Sequence, residues 1–175
     1  MPNIAENIFE RLRKIFGVDK SEIAKILEKI PIFSDLNLVE LNKIEIITHE
    51  REYMDGEQVF HEKEPGAGMY IVRSGSIKLS KKTVVGEKEL TTLKTGDFFG
   101  EIALLDESPR SATAVASGKT KILGFYRPDF LELLKRDPRL GSKVLLQLSQ
   151  MIAKRLRATT DATLKGATNG NETES

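Results

Sequence analysis

A chain of 175 residues suits one domain with flanking helices, and its 27 basic and 26 acidic side chains, mixed along its length, leave a net charge of only +1. That balance supplies no strong basic face for nucleic acid or a membrane surface, and the lack of cysteine excludes a disulfide framework, a thiolate metal site and a cysteine nucleophile. No apolar run approaches the ~20 residues of a membrane span, and Met1-Pro2-Asn3-Ile4-Ala5-Glu6-Asn7 lacks the basic and apolar regions of a signal peptide, so a soluble, cytoplasmic protein is expected.

Ile4, Ile8, Leu12, Ile15 and Phe16 recur at helical spacing, which predicts a first amphipathic helix ending near Gly17. A second is predicted from a cap at Ser21 through Ile23, Ile26, Leu27 and Ile30 to Pro31. Residues 1–30 therefore read as N-terminal helices packed on the domain, with a partner-docking or membrane-surface helix as the alternative. Phe33 to Leu41 reads as a turn and a capped helix.

After His49 the period changes. Short runs rich in β-branched and aromatic residues are punctuated by Asp55-Gly56, Pro65-Gly66, Gly68, Gly75, Gly86 and Gly96, which predicts a series of short antiparallel strands. Met69 to Val72 and Ser76 to Ser80 read as two of them, and Gly86 marks a hairpin turn before Leu90 to Leu93. The fold class is mainly β with flanking helices. Residues 31–137 are expected to form an antiparallel β-roll or jelly roll, a double-stranded β-helix whose interior can hold a ligand.

The stretch from Phe98 to Ala116 carries the chemistry. Two aromatics and Gly100 lead into a short apolar segment of helical character, which breaks at Ser108-Pro109 and leaves through an alternating strand. A helix start offers unpaired N–H groups to an anion. Arg110, just beyond a rigid proline, can grip a phosphate with its planar fork, and Glu101 can accept hydrogen bonds from sugar hydroxyls. One acid for a sugar and one arginine for a phosphate describe a nucleotide pocket. A plain surface ion pair between the two is the alternative.

Phe99-Gly100-Glu101-Ile102-Ala103-Leu104, five residues, then Arg110-Ser111-Ala112-Thr113-Ala114-Val115-Ala116 resembles the phosphate-binding cassette of the cyclic nucleotide-binding domain family. The resemblance covers roughly residues 26–164. It implies that Arg110, aided by Ser111 and the Ala112 amide, neutralises a cyclic phosphate. It further implies that Gly100 allows close backbone approach, that Glu101 holds the ribose 2′-hydroxyl, and that Ile102 and Ala103 complete the cassette. Leu79, Leu90 and Leu93 fall where the family's apolar residues face base and ribose, although any β-roll also needs inward leucines. Relatives usually carry glycine where Lys63 stands, which puts the detail of that turn in question.

Lys121 to Tyr126 reads as the last strand, Pro128 and Asp129 open a short helix from Phe130 to Arg136, and Pro138 starts another after an Asp137 cap. Leu145, Leu148, Ile152, Leu156, Thr159 and Thr163 follow steps of three and four, the seam expected where two helices pair, so residues 138–165 are expected to form a dimerisation and lid helix. By resemblance to the central helix of the family's transcription factors, Thr159 would meet the base in its own pocket and Thr160 the base in a partner subunit's. Residues 166–175 read as a polar, disordered tail with no helix-turn-helix or second nucleotide-binding domain, so direct DNA binding is not expected.

His49 and His61 are the only histidines and are separated by a predicted turn, so neither a metal centre nor an enzyme is expected, and no serine–histidine or paired-carboxylate arrangement stands out. The expected function is that of a stand-alone receptor for cAMP, with cGMP as the second candidate ligand and no other cofactor. It would act as a homodimer on a downstream protein that the sequence does not identify. Ser111 favours cAMP, since cGMP-selective relatives often carry threonine there. The alternative is a degenerate domain that binds no nucleotide and serves as a dimeric scaffold or adaptor.

Overall fold

A computed structural model describes residues 20–170, with side chains as far as Thr160. The helix predicted over Ile4 to Phe16 and the last residues of the predicted tail lie outside the described residues. Helix α1 (Glu22–Leu27) is capped by Ser21, whose hydroxyl accepts from the Ala24 amide at 2.9 Å. A 3-10 turn (Pro31–Phe33) follows, and α2 (Leu38–Ile46) opens with a capping box in which Asn37 and Glu40 satisfy each other's backbone amides.

Six strands form one antiparallel sheet: β1 (His49–Tyr53), β2 (Gln58–Phe60), β3 (Gly68–Thr83), β4 (Gly86–Lys94), β5 (Phe98–Phe99) and β6 (Thr113–Tyr126). The path runs β1-β6-β3-β4, with β2 also on β6 and β5 also on β3. Helices α3 (Arg127–Arg136) and α4 (Pro138–Gly170) close the chain. The antiparallel roll with flanking helices and a long C-terminal helix agrees with the expected fold class.

One difference from the predicted strands has a local cause. Gly75 reads as a break, yet β3 runs through it as one strand, bending at a positive φ of 86°, as β6 does through Gly118 at 77°. In β3 the irregular pairing between Val72 and Ser76 flips the side-chain parity. Before the bend, Met69 and Ile71 face the helices while Tyr70 and Val72 face the barrel interior; after it, Ile77 and Leu79 face the interior.

The alternation yields two cores. One, between sheet and helices, joins Leu27, Ile32, Phe33, Leu41, Ile44, Phe125, Phe130 and Leu148. The other fills the barrel around Tyr53, Tyr70, Ile77, Phe99 and Ile122. Helix α4 spends Leu140, Val144 and Leu148 on the first core, with Leu145, Met151 and Ile152 partly buried against it. Much of the apolar stripe read as a pairing seam thus covers this chain's own core, while Leu156, 67% exposed, stays uncovered. The helix also continues through Gly166 to Gly170, into the stretch predicted as a polar tail. Extending an existing helix adds one hydrogen bond per residue fixed, and no proline interrupts it.

Candidate functional site

Arg110 sits where three loops meet. Its backbone is fixed on both sides by one turn: the Lys63 amide donates to the Arg110 carbonyl at 2.8 Å, and the Arg110 amide donates to the Glu64 carbonyl at 2.8 Å. Lys63 holds this turn with φ of 73°, the one positive φ outside glycine among the described residues. The turn that the family builds with glycine is therefore kept here at the cost of left-handed backbone strain. Lys63→Gly is expected to stabilise the fold by about 0.5–1 kcal/mol, the strain relieved exceeding the flexibility added to the unfolded chain. A urea titration reads this as a higher midpoint; an unchanged or lower one would mean that the lysine's own contacts outweigh the strain.

The Arg110 side chain is only 7% exposed. Its two terminal nitrogens donate to the Gly100 carbonyl at 3.2 Å and the Gly68 carbonyl at 2.8 Å, while Nε is buried with no partner. The guanidinium lies 4.2 Å from the Phe60 ring centre and 5.4 Å from that of Tyr70, in a cluster completed by Phe99. These ring faces favour the cation, but they do not neutralise it. Burial pushes the Arg110 pKa down, partly offset by Tyr70, and burial pushes the Tyr70 phenol up.

Gly100, at φ of 74°, is needed twice: a side chain would be strained there, and its Cβ would stand 2.5 Å from an Arg110 terminal nitrogen. It leads directly into the 3-10 helix Glu101–Leu104. Glu101, its side chain 6% exposed, is ion-paired with Arg155 of α4, whose side chain is 52% exposed and whose guanidinium lies 5.1 Å from the Phe98 ring centre. Glu101 and Arg110 are both buried and bond to different partners, so they are not a surface ion pair.

Both border one cavity of about 610 Å³, within the size range of small-molecule sites. Of the residues that the sequence singles out, Gly100, Glu101, Ile102, Ala103, Arg110, Ser111, Leu79 and Leu93 line it. Ala112 is buried beside Ser111 but not on the lining. Leu90 is a correction: it is 50% exposed and off the cavity, and Thr91 lines the wall instead. The pairing of Leu79 with Thr91 and of Ser80 with Glu89 leaves Leu90 as the extra residue of a bulge, facing out. Thr159 and Thr160 are also placed off the lining. Both are exposed on α4, with their hydroxyls donating to the Arg155 and Leu156 carbonyls at 3.0 Å.

Arg155, like Thr91 and Asp106, is a lining residue that sequence reasoning missed. The signal for it was present: Leu148, Ile152 and Arg155 lie four and three residues apart, so the face that packs on the domain ends in a cation. No three His, Cys, Asp or Glu side chains cluster to hold a metal, and no helix is long and apolar enough to cross a membrane, among the described residues.

A family model, the cyclic nucleotide-binding domain, matches residues 50–137, half of the chain, and spans both Arg110 and Glu101. The chain belongs to the cyclic nucleotide-binding domain family. The cyclic AMP receptor protein of Thermus thermophilus is 36% identical over 128 residues, which cover 73% of this chain and 57% of that protein. Among solved structures, the Thermus thermophilus catabolite activator protein superposes with a TM-score of 0.70 at 34% identity, covering 79% of this chain and 63% of the other. The regulatory domain of Toxoplasma gondii PKA, crystallised with cAMP, gives a TM-score of 0.61 at 28% identity over 65% of this chain and 43% of that one. The chain thus spans little more than half of the Thermus receptor, and the cyclic nucleotide-binding domain is the part they share.

Proposed function

We propose that the protein is a receptor for a cyclic nucleotide, cAMP in preference to cGMP, and that binding moves helix α4 to regulate a separate partner. The observation that carries this reading is Arg110: a buried guanidinium beside a cavity, with a partnerless Nε and, among the described residues, no carboxylate in ion-pair reach. A cyclic phosphate has the single negative charge and the acceptor oxygens that such a group lacks. Glu101, on the same cavity, is an acceptor for the ribose hydroxyl, and Leu79 and Leu93 form an apolar wall for the sugar and base.

The preference for cAMP is supported by the names of the relatives and by Ser111, at the position where cGMP-selective members of the family often carry threonine. The binding itself needs no bond to be made or broken, so the proposed role is regulatory, not catalytic. The exposed Leu146 and Leu156 on α4 suit a second copy of the chain, and a homodimer is part of the reading. Thr159 and Thr160 would reach a base, in their own or a partner's pocket, once α4 shifts from its present position.

Calorimetric titration with cAMP, cGMP and AMP tests the reading, using protein refolded from denaturant to strip any carried ligand. Micromolar or tighter binding of cAMP, weaker binding of cGMP and none of AMP are expected. No heat with either cyclic nucleotide would leave a dimeric scaffold as the better account.

A further inference from the structure

Beyond Ser80, strand β3 leaves the body of the sheet. Its last partner on β6 is Thr113, so residues 81–88 form a two-stranded ribbon of β3 and β4 alone, exposed along its whole length. Thr83 pairs with Gly86, and the turn between them is Val84-Val85, fully exposed at 105% and 94%. Tight turns favour Asn, Asp and Gly, which hold the bend and meet water; two valines do neither. Behind the tip the ribbon is basic. Lys81 stands directly opposite Lys88, a like-charge pairing that costs stability, and Lys82 follows. None of the three is ion-paired among the described residues, while the nearby carboxylates are taken: Glu87 accepts from the Ser80 hydroxyl and Glu62 from the Lys82 amide.

At the root of the ribbon is a second cavity, of about 220 Å³, lined by His61, Glu62, Lys63, Lys82 and Thr113. It lies apart from the nucleotide cavity, because Thr113 and Ser80 pair on the sheet face opposite to Leu79 and Ala114, which face the barrel interior. The strained backbone of Lys63 thus brings a cation to this cavity where glycine would bring none.

We propose that the ribbon docks the protein on an anionic phospholipid surface. Val84 and Val85 enter the boundary between headgroups and acyl chains, Lys81, Lys82 and Lys88 lie against the charged headgroups, and the cavity beside Lys63 takes a headgroup phosphate. Two complementarities select this occupant. An exposed apolar pair gains from leaving water, and the unpaired lysines just behind it gain from negative charge. Lys82 and Val84 are two residues apart, about 7 Å along the strand, which matches the ~5–10 Å depth at which apolar side chains sit below the headgroups. The chain's net charge of +1 is no obstacle, since the attraction acts within about a Debye length of the ribbon. Docking there leaves the nucleotide cavity open.

Flotation of the full chain with phosphatidylcholine vesicles, with and without phosphatidylserine, tests the docking. Binding is expected only with phosphatidylserine and is lost as salt is raised. The double variant Val84→Ser, Val85→Ser should bind about tenfold more weakly or worse, and each of Lys81→Gln, Lys82→Gln and Lys88→Gln about fivefold more weakly. These side chains are exposed, so the thermal melts should match wild type. Lys63→Gly separates docking from folding: it should weaken binding about fivefold while raising the urea midpoint. No flotation with phosphatidylserine overturns the docking, as does flotation that the double serine variant leaves unchanged. A thermal shift with inorganic phosphate as large as with vesicles, lost in Lys63→Gly, would assign the cavity to a free anion. A change of oligomeric state in the double serine variant without vesicles would assign the tip to a second copy of the chain. Either result overturns the membrane docking.

Discussion

Arg110→Ala is expected to lose cyclic nucleotide binding by roughly one and a half to three and a half orders of magnitude, a cost of roughly 2–5 kcal/mol for leaving a buried charge unpaired. The side chain brings the cavity's buried positive charge and is positioned without any carboxylate, by the Gly68 and Gly100 carbonyls and the Phe60 ring. Removing it would leave a bound phosphate without the cavity's buried counter-charge. Arg110→Lys is also expected to fail, because a point charge cannot hold two carbonyls and present a planar edge to a phosphate. The fold should survive Arg110→Ala. Burial already disfavours this cation, so its loss removes a desolvation penalty while leaving two carbonyls short of a donor. Calorimetry paired with a thermal melt separates the outcomes: retention of near-normal affinity in a folded Arg110→Ala protein would refute the phosphate assignment.

What the sequence revealed and what it hid follow from the range of the interactions. The caps at Ser21 and Asp137 were legible because each acts within three residues, and the first turn of α4 shows it in the Leu140 amide donating to Asp137 at 3.2 Å. The cassette was legible because Gly100, Glu101, Arg110 and Ser111 lie within a dozen residues and carry a family pattern. The inner face of β4 was not. Leu90 and Leu93 lie three apart, so they share a strand face only if a bulge intervenes between them, and the bulge sits at Leu90 itself. The ion pair between Glu101 and Arg155 joins residues 54 apart, and only the packing of α4 along the first core brings them together. The stripe on α4 was read correctly as apolar, but a stripe does not say whether it faces the same chain or another.

The largest loss of stability is expected from Phe125→Ala. Phe125 is fully buried on β6, edge-on to Phe33 at 5.8 Å and to Phe130 at 5.9 Å, so one ring joins the N-terminal 3-10 turn, the sheet and α3. Its neighbours on the strand, Gly124 and Tyr126, belong to the opposite side, where Tyr126 packs against the barrel core. Truncation would open a cavity between three elements, none of which can collapse alone, at a cost of about 3–5 kcal/mol. That is a large share of the 5–15 kcal/mol that typically separates folded from unfolded. Phe125→Leu, which keeps most of the volume, should cost under about 1.5 kcal/mol. Denaturant titrations of the two variants check the ranking, and a loss below about 1 kcal/mol for the alanine would mean that the core relaxes around the gap. Because the side chain points away from the cavity that Arg110 and Glu101 border, the folded fraction of Phe125→Ala should bind nucleotide with nearly unchanged affinity. Stability and binding are then set on opposite faces of one strand, and the two classes of substitution can be told apart by measuring both.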